Sequence, residues 1–192
     1  MVIVKIGGSL FDSPDLKDWL RKLAAIEDKR VVLVPGGGPF ADQVRAAAER
    51  WNISDIAAHH MAVMAMQQYA YLLSSLNSNI EMLHSYKEIL NVGSNSCLMV
   101  WMPYYDVVNL CDYPKNWSTT SDSLALWLAS KLSAHHLNIV KCADIQNKKT
   151  QQIINSEIVD GYFLHAAKNY VGEIRFYHSS QSDKCISDIN ND

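Results

Sequence analysis

Four short stretches of the chain carry residues able to handle phosphate. Lys5-Ile6-Gly7-Gly8-Ser9 sets an ammonium, a glycine turn and a hydroxyl side by side. Glycines let the backbone fold back and present its N–H groups to an anion. With the Ser9 hydroxyl and the Lys5 charge added, the set suits the β- and γ-phosphates of a nucleotide. The same residues also fit a plain strand end with a solvated lysine, and the Walker A spacing is absent. Pro35-Gly36-Gly37-Gly38-Pro39-Phe40-Ala41-Asp42 follows an apolar run. Three successive glycines cost backbone entropy. Close approach of a ligand explains that cost, and so does tight strand–helix packing. Trp117-Ser118-Thr119-Thr120-Ser121-Asp122-Ser123 groups hydroxyls with a carboxylate, a pattern that also reads as ordinary helix capping. Val140-Lys141-Cys142-Ala143-Asp144 puts a lysine at a strand end, for phosphate or for solvent.

The elements that must position these residues follow from periodicity. Met1–Ile6 and Val31–Val34 are apolar and β-branched, and each runs into glycines, which predicts buried strands. Leu16, Trp19, Leu20, Leu23 and Ile26 form a helical stripe within Asp15–Glu27. Phe40–Trp51 reads as helix, and Ser54 as the N-cap of a long methionine-rich helix to about Leu76. That helix is apolar on more than one side, for core packing or a subunit contact. Further strands are predicted at Cys97–Trp101, Leu137–Val140 and Ile174–Tyr177, with helices at Ser121–Ser133 and near Gly161–Asn169. Asn77–Asn95 has no clear period, Pro103–Lys115 reads as irregular, and the polar stretch 179–192 as a frayed tail. Apolar strands alternating with helices predict an α/β fold: a mostly parallel, open sheet covered on both faces, a three-layer αβα sandwich. Ligands of such sheets bind beyond the carboxyl ends of the strands, so both glycine loops belong on one functional edge.

Composition excludes several classes. The 192 residues are 48% hydrophobic and 19% charged with a net charge of −3, which argues against disorder and gives no nucleic-acid footprint. Cys97, Cys111, Cys142 and Cys185 show no C-x-x-C spacing, so they read as packed, reduced thiols. No apolar stretch reaches membrane-spanning length, and the first residues read as a strand, not a signal peptide. The expected address is the cytoplasm.

Taken jointly and in order, the four motifs resemble the amino acid kinase family. The resemblance runs from Met1 to about Asp144. Gly36–Asp42 with Arg45, Ala58-His59-His60-Met61-Ala62 with Ala65-Met66-Gln67, and Trp117 with Thr120–Ser123 are most similar to the small kinases of methanofuran biosynthesis. The resemblance implies one kinase domain over 1–178, with the acceptor half at about 1–115 and the nucleotide half at about 116–178. It implies an ATP-dependent, Mg²⁺-assisted phosphotransferase acting on a small phosphorylated acceptor, and a homodimer paired through the long helix. It implies that Lys5 neutralises the transferring group while Asp122 orients it. Gly7, Gly8, Ser9 and Lys141 serve the nucleotide phosphates, and Gly37 and Gly38 face the acceptor. Asp42 and Arg45 lie one helical turn apart. Arg45 could grip an acceptor phosphate, and Asp42 a substrate ammonium or merely the helix start. Isopentenyl phosphate kinases carry histidine at the place of Asp42, which argues against that activity. His59 is a candidate acceptor contact. Other readings are a carboxylate or nucleoside monophosphate kinase, and a nucleotide-binding protein without turnover.

Overall fold

A computed structural model describes residues 1–93, 98–145 and 148–192. Six strands form one sheet: β1 (Val2–Ile6), β2 (Val31–Pro35), β3 (Glu81–Leu83), β4 (Leu98–Trp101), β5 (His136–Lys141) and β6 (Glu173–His178), in the order β3-β4-β2-β1-β5-β6. Every pairing is parallel. The sheet is therefore parallel throughout, beyond the mostly parallel sheet expected. Fully buried β1 and β2 explain why those segments are continuous apolar runs and not alternating ones.

The alternation of side chains along β1 sorts the core into two layers. Ile3 packs on the face that also holds Val32, Met99, Leu137, Ile139 and helix α6 (Ser121–Lys131). Val2, Val4 and Ile6 pack on the opposite face, against α1 (Leu16–Ala24) and α9 (Ser182–Asn191). Helix α2 (Gly38–Trp51) follows the triple glycine. Helix α3 (Asp55–Leu76) gives Val63 and Met66 to the first layer and Tyr69, Ala70 and Leu73 to the second. Ser54 caps α3, its hydroxyl accepting from the Ala57 N–H at 3.4 Å.

Two expectations need correction. The stretch after residue 178 is not frayed: α9 buries Cys185 and Ile189 completely. Burial of a side chain such as Ile189 is worth about 1.5–3 kcal/mol, enough to dock a polar helix. Lys22 adds bonds to Ser182 and Asp183, and the Trp19 indole donates to the Ser179 carbonyl at 2.6 Å. Pro103–Lys115 is not all irregular, since α5 occupies Tyr104–Asn109. Its Asp106 is buried and accepts from the Trp101 indole at 2.9 Å and the Tyr86 N–H at 2.6 Å. The unassigned Asn77–Asn95 segment contains β3 and α4 (Tyr86–Asn91). Short helices α7 (Thr150–Ile154) and α8 (Phe163–Ala167) complete the chain. Of the strand expected at Cys97–Trp101, Cys97 lies outside the described residues.

Candidate active site

Lys5 is on β1 and shares the face of Ile3, so its side chain runs under the sheet toward α6. It pairs in register with Ile139 of β5, one pleat before Lys141. Neighbouring strands lie about 4.8 Å apart, so two lysines so placed can reach a common point. That point is Asp122, in the first turn of α6. Its Oδ1 is 2.8 Å from the Lys5 Nζ and its Oδ2 is 2.5 Å from the Lys141 Nζ. Lys5 and Asp122 are each only 3% exposed. Burial pushes the Lys5 ammonium down to about 8, with Asp122 opposing the shift. Burial would raise the Asp122 carboxyl, but Lys5 and Lys141 outweigh it and hold the group down at about 2. The site is thus a carboxylate clamped between two cations at the positive end of a helix.

A second carboxylate fixes the helix end that carries Asp122. Asp160 arrives from the loop before α8 and accepts from the Thr120 N–H and hydroxyl, both at 2.9 Å, and from the Ser123 N–H at 3.0 Å. The Ser123 hydroxyl donates to its other oxygen. The local hydroxyls therefore do not cap α6; Thr120 makes no side-chain cap bond, and Asp160 does the work from a distant segment. Burial, then the nearby Asp122 charge, raises the Asp160 carboxyl.

The two glycine loops touch each other. A Cβ on Gly8 would lie 2.5 Å from the Gly38 nitrogen, and one on Gly36 would lie 2.4 Å from the Gly8 nitrogen. Gly38 also takes φ +54°, which favours glycine. Packing between loops thus accounts for Gly8 and Gly36, whatever ligand also approaches. The Gly7 N–H donates to the Val140 carbonyl at 3.2 Å, so it is spent on the sheet. Gly8 and Ser9 open a short 3-10 turn over Gly8–Asp12, whose leading N–H groups find no partner inside the turn.

One cleft of about 440 Å³ joins these parts. Of the residues singled out from sequence, Lys5, Gly8, Ser9, Gly37, Gly38, Asp42, Arg45, His59, Asp122 and Lys141 all line it. Gly7 does not, although a Cβ there would sit 3.8 Å from the Lys5 Nζ. Arg45 donates to the Asp42 carboxylate at 2.6 Å, and its guanidinium lies 4.9 Å from the Trp117 ring centroid. His59 is 4% exposed; burial lowers its pKa, against a hydrogen bond to the Asn116 backbone. Asp12 also lines the cleft and was missed. It stands three residues beyond Ser9, a spacing that marks the turn but no chemistry. Asp160 stands before Gly161, outside the four phosphate-handling stretches of the sequence.

Residues 1–155 match the amino acid kinase family. The chain belongs to that family. It is a phosphotransferase, and ATP is its phosphoryl donor. The [5-(aminomethyl)furan-3-yl]methyl phosphate kinase of Methanocaldococcus jannaschii is 29% identical over 170 residues, 84% of this chain and 77% of that protein. Among solved structures, uridylate kinase from Archaeoglobus fulgidus superposes with a TM-score of 0.72 at 14% identity, covering 97% of this chain and 95% of its own. UMP kinase from Ureaplasma parvum gives a TM-score of 0.74 at 14% identity, covering 99% and 94%. These two share the fold. Among the described residues no helix is long and apolar enough to cross a membrane.

Proposed function

We propose that this kinase transfers the γ-phosphoryl group of ATP to the phosphate of [5-(aminomethyl)furan-3-yl]methyl phosphate, forming the diphosphate in a methanofuran-type pathway. The observation that carries the reading is the single cleft that holds both the buried Lys5–Asp122–Lys141 centre and the Arg45 guanidinium. Two cationic points in one small cleft suit two phosphate groups. The similarity to the Methanocaldococcus jannaschii enzyme supports this choice of acceptor. The apolar wall of Ala41, Ala62, Val63 and Met66 beside Trp117 suits a small ring.

The chemistry follows from positioning and charge. An oxygen of the acceptor phosphate attacks the γ-phosphorus of ATP. The bond from that phosphorus to the β-bridging oxygen breaks, and ADP leaves with the electron pair. The acceptor oxygen is already anionic, so no general base is assigned. Lys5 holds positive charge against the equatorial oxygens as it builds there. Asp122 keeps the two ammoniums apart and aimed, Lys141 supports the nucleotide phosphates, and Gly8 and Ser9 supply N–H and hydroxyl donors. Among the described residues no group of three or more His, Cys, Asp or Glu side chains is placed to hold a metal, and both Asp122 oxygens face lysines. A Mg²⁺ brought in with the nucleotide would be compatible with this donor set, and would supply neutralisation of charge on the leaving diphosphate. The exposed Ile56, Met64 and Tyr71 of α3 offer the face for a homodimer.

The test is ADP release and ³¹P NMR with a panel of acceptors. Turnover on the aminomethyl-furan phosphate, with a new diphosphate signal, is expected. Turnover on UMP or a carboxylate instead, or ATP binding with no turnover on any acceptor, contradicts the proposal.

A further inference from the structure

We infer that Asp42 and Arg45 work as a charge-exchange filter, admitting phosphate monoesters that also carry an ammonium and disfavouring those that are only anionic. The inference rests on the reading of this cleft as the site of a phosphorylated acceptor. It starts from the fact that Arg45 is already engaged. Its Nη1 is 2.6 Å from the Asp42 Oδ1, one turn away on α2, and its guanidinium lies 4.9 Å from the Trp117 centroid. All three side chains line the cleft.

A purely anionic acceptor that recruits Arg45 must take it from Asp42. That leaves a carboxylate without its partner, beside the incoming negative charge. An acceptor with both a phosphate and an ammonium makes an even exchange: phosphate for Asp42 at the guanidinium, ammonium for Arg45 at the carboxylate. The side chains of Arg45 and Asp42 are 55% and 66% exposed, so water assists the swap and the pair is not locked. Trp117 keeps the guanidinium plane in the cleft through its ring face while the partner changes. His59, buried and with its pKa lowered, adds no positive charge against an incoming ammonium. The selection is thus built from an unpaired charge left by the wrong ligand, not from shape alone.

The experiment is calorimetric titration of the whole chain, with a non-hydrolysable ATP analogue present. The ligands are the aminomethyl-furan phosphate and the same ester with methyl in place of aminomethyl. Wild type is expected to favour the amine by about 2- to 5-fold, the range of a solvent-exposed ion pair. In Asp42→Asn the preference should fall to about one, by weaker binding of the amine and tighter binding of the methyl ester. Asp12→Asn, at another carboxylate of the cleft, should retain the wild-type ratio. A wild-type ratio near one, an unchanged ratio in Asp42→Asn, or collapse in Asp12→Asn instead overturns the filter. Phosphoryl transfer is measured separately on the same samples. Selective binding without transfer refutes the proposed activity and leaves the filter standing. Transfer without selectivity refutes the filter and leaves the activity. Binding of neither ester refutes both.

Discussion

Replacing Asp122 with Asn removes the carboxylate between the buried Lys5 ammonium and the partly buried Lys141 ammonium while keeping the side-chain volume. Lys5 and Asp122 are both 3% exposed, so the loss is scarcely screened. Breaking a buried pair from one side costs about 3–5 kcal/mol. Lys5 can escape part of that penalty by losing its proton. Its pKa is already down at about 8 with Asp122 opposing the shift, and without that carboxylate it falls further. The stability loss is therefore capped, and the damage moves to catalysis: at neutral pH Lys5 no longer brings its charge to the transferring group. Loss of one such charge-stabilising contact lowers kcat by about 10²–10³. ADP release followed from pH 5.5 to 9 reads the effect. The variant should be slow at neutral pH and recover in part as the pH falls and Lys5 regains its proton. Thermal unfolding should shift by no more than about 6–20 °C, from 3–5 kcal/mol at 2–4 °C each. A variant with kcat within about threefold of wild type and an unmoved alkaline limb refutes the assignment of Asp122 as the keeper of the Lys5 charge.

Three further outcomes follow from the same geometry. In wild type, kcat should decline as pH rises through about 8 while stability moves the opposite way: Lys5 falls from an ordinary 10.5 to about 8 on folding, so the unfolded chain binds more protons in that window and Lys5's contribution to stability rises across it; kcat and thermal unfolding against pH check both signs. Asp160→Ala strips four donors at the start of α6 of their acceptor, and should lower stability by about 2 kcal/mol and kcat by more than KM, measured by denaturant titration and steady-state kinetics. Gly8→Ala would set a Cβ 2.5 Å from the Gly38 nitrogen and should cost about 1–3 kcal/mol with most of the activity. Gly93→Ala, where a Cβ meets nothing within 4 Å, is the control, and equal melting shifts would contradict the loop packing.

The fold was legible where residues bury on both sides. Val31–Val34 and the α1 stripe are unmixed patterns; β2 runs one residue past the first, and α1 starts one residue after Asp15 and ends three before Glu27. The polar composition after residue 178 hid the spacing of Cys185 and Ile189, an i, i+4 pair, because only the sheet face beneath shows what they meet. Short α5 was masked by the proline before it. In the site, Lys5 stood out as a charge ending an apolar run, whereas its meeting with Asp122 depends on strand register across 117 positions, which no local window contains. Asp160 stands beside Gly161 with nothing in its local sequence to mark a role. Its bonds reach back 37 and 40 residues, so its role is visible only once α8 and α6 pack together. The triple glycine was read as a place of ligand approach or of strand–helix packing; in the structure the other glycine loop lies against Gly36 and Gly38.

The most direct measurement is a crystal structure of the kinase with Mg²⁺, a non-hydrolysable ATP analogue and the aminomethyl-furan phosphate. The Nζ atoms of Lys5 and Lys141 are expected within about 3 Å of the nucleotide's terminal phosphate oxygens, with the acceptor phosphate between that group and Gly37–Gly38. A terminal phosphate bound out of reach of both lysines would contradict a phosphoryl-transfer centre built on Asp122.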